Sequence, residues 1–368
     1  MGGISRRIAA FQQYLIVMRR RESEGALPVF RQTAELVYLR LRNGIPPYYY
    51  FGGALYRRDI PWREKLEHVY GDHYLKLIRR LNPEEYNFVA MNKIVSYGVL
   101  RSFGIATPQI YGFINAANGQ TFDGRPLATS GDLDALIKRT GVDELCFKLV
   151  GGWSGRGFIK VSFDRTTSPV TVIRGPLRTR GSLDEFWTAD LSGARGPSYI
   201  CQGAIVQHPA LAEFHKESVN TARVMMFQGD RGRWEMFGAY LRMGVGGSSV
   251  DNINAGGIAS TIDVESGRLS AAILPALNRM EYTHHPTSGV PIKDFVLPLW
   301  NDVKLVCEKS GHAFPYYRIL GLDVAFGPEA PLIIEVECEP SAFQHSFMGV
   351  GAKRLITPLL DRGSLGWR

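Results

Sequence analysis

Residues 144–157, ELCFKLVGGWSGRG, set a single lysine, Lys148, in an apolar run that feeds a loop with glycine at 151, 152, 155 and 157. One charge on a buried-looking strand beside a flexible glycine loop suits gripping the phosphates of a nucleotide. A tight hairpin turn is the alternative for the loop taken alone. The loop is not a Walker loop, because no GK[ST] follows and the lysine precedes it. It is not a dinucleotide fingerprint either, since a strand and not a helix follows.

A second group lies near the other end of the chain. Asp323 sits in ILGLDVAF, and Glu335 and Glu337 sit in PLIIEVE. The two runs read as strands of one antiparallel hairpin, so Asp323 and Glu335 can be neighbours across the ladder. Glu335 and Glu337 are two apart and share a face. Three carboxylates on one sheet face repel unless a cation joins them. Oxygen ligands suit a hard ion, and magnesium carried by a nucleotide phosphate is the usual one. The alternative, exposed charges on an edge hairpin, sits poorly with so apolar a surround.

These groups need elements to hold them. Apolar spacing predicts helices over 4–22, 29–43, 61–80, 83–103, 130–139, 296–310 and 350–361. Asn82 is the expected cap of the helix that starts at Pro83. The basic face of the first helix reads as a solvated face, with a membrane-surface or partner role as the alternative. GIPPYYYFGG (44–53) reads as a loop pinned to a core by its four consecutive aromatics, with a binding surface as the alternative. Strands are predicted at 109–114, 145–150, 157–163, 198–206, 221–227, 235–243, 319–326 and 331–337. The segments 116–131 and 164–197 read as irregular, the latter with a helix near 182–190. Residues 244–257 form a Gly/Asn-rich loop. The pattern is α+β with mostly antiparallel sheets.

The chain has 368 residues, 45% hydrophobic and 21% charged, which fits a globular protein of two or three domains. No apolar run approaches the roughly 18 residues of a membrane span, and no secretory signal is legible. The expectation is a cytoplasmic protein with no integral membrane contact. The four cysteines, Cys146, Cys201, Cys307 and Cys338, form no CxxC pair and read as reduced core residues. A net charge of +8 suits an anionic ligand. The basic residues are dispersed, so no nucleic acid is expected; only 39–58 interleaves aromatic and basic residues in the manner of such a binder.

NKIVSYGVLRSFGIATP, CFKLVGGWSGRGF, YICQGAIVQHP, SVNTARVMMF, AYLRMGVGGSSVDNINAGGIAS, GLDVAF and IIEVECEP together resemble the ATP-grasp superfamily of carboxylate–amine ligases, over about residues 90–340. Within it they are most similar to the sugar-transfer-associated branch, related to α-L-glutamate ligases and placed in cell-surface polysaccharide biosynthesis. YYYFGGALYRR and THHPTSG (283–289) are similar to that branch too, with no role assigned to His284 or His285. The resemblance implies an α+β ATP-grasp fold, two lobes clasping ATP. It divides the chain into a mainly helical region 1–90, a small pre-grasp segment 91–143, a first lobe 144–205 with the glycine lid, and a second lobe 206–368.

The resemblance also implies roles. Lys93 and Lys148 would reach ATP phosphates, and Gly152, Ser154, Gly155 and Gly157 would belong to the lid. The backbone of Gly203, Ala204, Ile205 and Val206 would bond the adenine edge, flanked by Gln202. Arg223 and Arg242 would be catalytic, holding the transferring phosphate or the carboxyl group; ordinary strand ion pairs are the alternative. Asn252, Gly256 and Gly257 would contact substrate. Asp323, Glu335 and Glu337 would bind one or two Mg2+ ions. The family usually reads E-x-N at the last two metal positions, and Glu337 stands here in place of the asparagine. The implied reaction joins a small-molecule carboxylate to an amine (amino acid, peptide or sugar derivative) through an acyl phosphate, releasing ADP and phosphate. A kinase on the same scaffold and a non-catalytic nucleotide-binding module are the alternatives.

Overall fold

The computed structural model describes residues 2–152, 157–174, 177–191 and 198–361. Two antiparallel sheets dominate it. The first contains β1 (Ile110–Ile114), β2 (Gln120–Thr121), β3 (Glu144–Leu149), β4 (Ile159–Asp164), β5 (Thr171–Arg174), β6 (Thr179–Ser182) and β7 (Tyr199–Gly203), in the order β2-β1-β7-β3-β4-β5-β6. The second contains β8 (Thr221–Gln228), β9 (Trp234–Met243), β10 (Ile258–Ile262), β11 (Leu269–Leu274), β12 (Met280–Tyr282), β13 (Ile319–Phe326) and β14 (Pro331–Glu337), in the order β12-β11-β10-β9-β8-β13-β14.

Period-two alternation gives each sheet a core face and a site face. On β3, Leu145 and Phe147 are buried against Leu133, Leu136 and Ile137 of the helix Ser130–Thr140. Cys146 and Lys148 take the opposite parity and face the other way. β3 and β4 pair from Glu144↔Ser162 to Phe147↔Ile159, as the hairpin around the glycine loop requires. The second sheet rests on the helix Trp300–Ala313, which buries Trp300, Val303 and Cys307. That helix starts later than the apolar spacing predicts, because Pro298 and a left-handed Leu299 precede it.

Several elements depart from the sequence expectations. The helix expected over 61–80 is two, Trp62–Glu67 and Asp72–Leu81, parted where Gly71 takes φ +59°. The helix expected over 83–103 is broken at extended Asn92 into a short 3-10 turn, Asn87–Met91 and Lys93–Ser102. Asn82 caps nothing. It is buried, its Nδ2 donates to the carbonyls of Ile319 and Cys338, and its Oδ1 accepts from the Arg318 and Ile319 N–H groups. It ties the N-terminal helices to the start of β13. The segment 164–197 holds the hairpin β5–β6 and then the helix Leu183–Phe186, which Ser182 and Glu185 close with a capping box.

The N-terminal region is helical, with Gly2–Ser23, Val29–Asn43 and Pro47–Gly52 enclosing their own core. Tyr49, Tyr50 and Phe51 are fully buried there, so the aromatic run does pin its segment, as a short helix and not as a loop. Arg21, on the basic face of the first helix, is spent within the fold: it pairs with Glu24 and donates to the Arg279 carbonyl just before β12. The four cysteines are free and buried. No described helix is long and apolar enough to cross a membrane.

Candidate active site

A cavity of about 820 Å³ separates the site faces of the two sheets. Lys93, Lys148, Gly152, Gln202, Ala204, Ile205, Val206, Arg223, Arg242, Asn252, Asp323, Glu335 and Glu337 all line it. Gly157 and Gly203 do not, nor do Gly256 and Gly257. Ser154 and Gly155 lie outside the described residues.

The acidic hairpin forms as the strand spacing predicts. β13 and β14 pair with Asp323 opposite Glu335 and Gly321 opposite Glu337. Each acid brings one oxygen within 4.8 Å of the other two. β8 lies on the other side of β13, with Arg223 directly opposite Asp323. The cations joining these acids are side chains. Arg223 Nε donates to Asp323, and its two terminal nitrogens fork onto Glu337, with Nη2 2.7 Å from Oε1. Arg242 Nη2 stands 2.8 Å from Asp323 Oδ2. Lys93 Nζ donates to the Gly152 carbonyl and lies 3.1 Å from Glu335 Oε1. Three formal negative charges thus meet three positive ones.

Burial sets the electrostatics. It pushes the Asp323 carboxyl upward, but Arg223 and Arg242 more than reverse this and hold it well below the usual carboxylate range. Burial works against the charge of Arg223, and Asp323 and Glu337 outweigh it. Glu337 goes the other way. Burial, with repulsion from Asp323 and Glu335, pushes it up to about 7 despite Arg223. Its side chain keeps 28% exposure, so water tempers that push.

Lys93 owes its position to Asn92, whose side chain accepts from the Ile94 and Val95 N–H groups and starts the helix. Tyr97, one turn on, donates to the Ile334 carbonyl at 2.6 Å and so fixes this helix against β14. Lys148 has no ion-pair partner among the described residues. At the other end of the cavity, the Gly203 N–H is used by the Gln109 carbonyl at 2.8 Å, and Ala204 donates to the Glu144 carbonyl at 3.4 Å. The N–H groups of Ile205 and Val206 have no partner among the described residues. Gln202 is 1% exposed, and its Oε1 is a buried acceptor without a partner.

The loop after β9 is built by its own backbone. Asn252 accepts from Asn254 N–H with its side chain and from Gly257 N–H with its carbonyl. Gly256 takes φ +92°, which a side chain would strain, and a Cβ at Gly257 would press on the Asp251 carbonyl. Both glycines therefore shape the turn that presents Asn252.

Sequence reasoning missed several participants. Asp251 accepts from both the backbone and the hydroxyl of Thr221 and lies 3.5 Å from Arg242 Nε. Burial raises its pKa, against the pull of Arg242. His285 is buried and donates from Nε2 to the Gly244 carbonyl at 2.8 Å, and His215 does the same to Gly246 at 2.8 Å. The pair pins the root of the loop, which gives the THHPTSG motif a positioning place. Only the buried ring of THHP could have signalled this. Tyr48, Tyr70, Tyr240 and Gln344 also line the cavity; the aromatic run at 44–53 signals Tyr48, and nothing in the local sequence marks the other three.

Residues 73–353 match the family described as sugar-transfer associated ATP-grasp. The chain belongs to that family, and its α+β fold is the ATP-grasp fold. Solved structures similar to it include D-alanine–D-alanine ligase from Bacillus anthracis, at 15% identity and TM-score 0.39, over 74% of this chain and 65% of that one. Carboxyaminoimidazole ribonucleotide synthase from Aspergillus clavatus, complexed with ATP, matches at 12% identity and TM-score 0.40, over 74% and 52%. D-cycloserine synthetase matches at 13% identity and TM-score 0.45, over 87% and 94%. The chain thus spans just under two thirds of the first of these and about half of the second. Comparison with curated proteins gave no match.

Proposed function

We propose that this chain is an ATP-dependent carboxylate–amine ligase that forms an amide through an acyl phosphate. The observation that supports it most is the placement, around one cavity, of two lysines and two arginines with a three-carboxylate cluster.

The residues fit both ATP and a metal. Gln202 Oε1, buried without a partner, suits the adenine amino group, and the unspent N–H groups of Ile205 and Val206 suit the ring edge. Asp323, Glu335 and Glu337 offer the all-oxygen set of a magnesium site. Bound there, magnesium would neutralise charge on the phosphates. Lys148 and Lys93 then hold the phosphate oxygens, Lys93 releasing Glu335 to do so. Arg242 and Arg223 keep Asp323 ionised and present positive charge to the transferring group and the substrate carboxylate. Positioning and charge carry the reaction, with no side-chain nucleophile. Amine attack on the acyl phosphate gives the amide and phosphate. From the family's description we infer a product for cell-surface polysaccharide or related sugar and peptide synthesis, made by a cytoplasmic enzyme.

The test is ADP release over pairs of carboxylates and amines, with mass spectrometry of the products. An amide formed only when both are present supports the ligase. A phosphorylated acid accumulating without amine makes the chain a kinase. ATP binding without ADP release in any mixture makes it a nucleotide-binding module.

A further inference from the structure

We propose that the N-terminal region supplies a saccharide subsite to the catalytic cavity, walled by Tyr48 and Tyr70 and closed by Gln344. This rests on the ligase reading for its purpose and names the substrate class it would take. A nucleotide stretched from Gln202 to the carboxylate cluster leaves the far end of the cavity unused. That end is lined by Tyr48, Tyr70, Tyr240, Pro275, Ser341 and Gln344.

Three features define the ligand. First, the wall is aromatic with hydroxyl tips. Tyr48 and Tyr70 meet edge to face at 5.7 Å between centroids, and their hydroxyls bond each other. Tyr48 stays 44% exposed, so this pair is not sealed into the core. Second, Gln344 is 1% exposed and accepts from the Tyr240 hydroxyl at 3.3 Å, while its Nε2 is a buried donor without a partner. Such a donor costs free energy until a ligand oxygen takes it. Third, all six side chains are uncharged. The nearby charges, Arg223, Arg242 and Lys93, are already engaged with the carboxylates. An amino acid would bring a second ionic group, and none of these six side chains supplies its counter-charge. A neutral hydroxylated ring matches instead, its C–H face on the tyrosines and an oxygen on Gln344. The sugar would carry the reacting carboxyl or amino group toward the arginines, as a uronic acid or amino sugar does.

The wall is held firmly. Tyr48 opens the helix Pro47–Gly52, and Gln344 lies in the helix Phe343–Met348. The two elements touch at Gly53, where a Cβ would come within 2.8 Å of Ser346 Cβ.

The experiment is saturation-transfer NMR on the full chain with magnesium and a non-hydrolysable ATP analogue, using methyl glucuronide, glucosamine, D-alanine and L-glutamate as probes. Expected is saturation of ring protons on a saccharide, with affinity falling roughly tenfold in Tyr48→Ala and in Gln344→Ala. Tyr48→Phe, which keeps the ring, should retain most of it. The ATP analogue should bind all three variants as it binds the parent chain, which also reports their folding. Binding of amino acids but not saccharides overturns the proposal, as does a saccharide signal that Tyr48→Ala leaves unchanged or no saccharide signal at all. ADP release with amino-acid substrates, insensitive to Tyr48→Ala, would keep the ligase and remove the subsite. Saccharide binding that depends on Tyr48, without ADP release for any amine, would do the reverse.

Discussion

Arg223 on β8 stands directly opposite Asp323 on β13, and its guanidinium reaches from Asp323 across to Glu337 on the next strand. One arginine therefore spans two of the three carboxylates in the cluster. Among the described residues, removing it leaves Asp323, 3% exposed, with only Arg242 as a counter-charge, and Glu337 with none. Arg223→Ala should lower stability by about 3–5 kcal/mol, the usual cost of orphaning a buried charge. Magnesium chloride alone should restore part of that loss, because the freed carboxylates then need a cation, and should do little for the parent protein. Thermal unfolding with and without the ion decides it. A variant as stable as the parent, or one that magnesium does not raise, would show that the arginine and a metal do not share this place.

Lys148 and Glu335 separate catalysis from stability. Lys148 has no ion pair among the described residues, and the only ion pair of Glu335 there is with Lys93. Lys148→Ala should therefore unfold near the parent temperature, and Glu335→Gln somewhat below it, because buried Lys93 keeps the Gly152 carbonyl but loses its ion pair. Each should lower ADP release by about 10²–10³-fold or more, the scale of losing one preorganised charge at a reacting centre. Near-normal turnover in either purified variant would remove that residue from the site.

The acidic hairpin was legible because strand parity is local: Asp323, Glu335 and Glu337 needed only two apolar runs and a short turn to be placed on one face. The glycine hairpin around Lys148 was legible for the same reason. What joins the acids was not. Arg223 lies 100 residues before its partner Asp323, and only the sheet order β8-β13-β14 brings the three strands together. Asn82 shows the limit from the other side. Its sequence context reads as a cap, yet two buried carbonyls of β13 and its neighbourhood offered its amide better partners. β10 to β12 escaped notice because small and polar residues such as Ser260, Ser270 and Ala271 blur their alternation. Gln344 escaped because a cavity wall built by remote segments has no periodicity to read.

Packing of the second lobe gives a test independent of chemistry. Gly311 lies in the helix Trp300–Ala313, where a Cβ would overlap the indole of Trp234 on β9. Gly311→Ala should destabilise by about 1–3 kcal/mol through overpacking. Gly98, in the helix Lys93–Ser102, has open space around its Cβ position, and Gly98→Ala should stabilise by about 0.5–1 kcal/mol. Denaturant unfolding of the two variants should therefore move in opposite directions. Equal shifts would mean that the helix does not sit on Trp234.

Two buried histidines set an acid limit on the fold. His68 and His345 are 2% and 0% exposed, and burial pushes their imidazoles down to about 4 and about 3. His68 Nδ1 lies 2.9 Å from the Tyr49 hydroxyl, and His345 packs among Tyr74 and Phe237, so neither has an acidic partner to welcome a proton. The unfolded chain titrates them near 6.5. A depressed folded value means that the unfolded state takes up protons which the folded state refuses. Their contribution is complete above about pH 6.5 and is lost as the pH falls toward 4, at about 1.4 kcal/mol per pH unit for each ring. Glu337, raised to about 7, acts in the opposite sense: its folded state binds the proton first, so it adds stability as the pH falls from 7 to its ordinary range. The histidine effect is therefore read as a difference between the parent and a His68→Gln, His345→Gln double variant. Stability measured from pH 7.5 to 4.5 should fall more steeply in the parent, by up to about 3 kcal/mol per pH unit at the acid end. Parallel curves would mean that both rings accept protons in the folded protein.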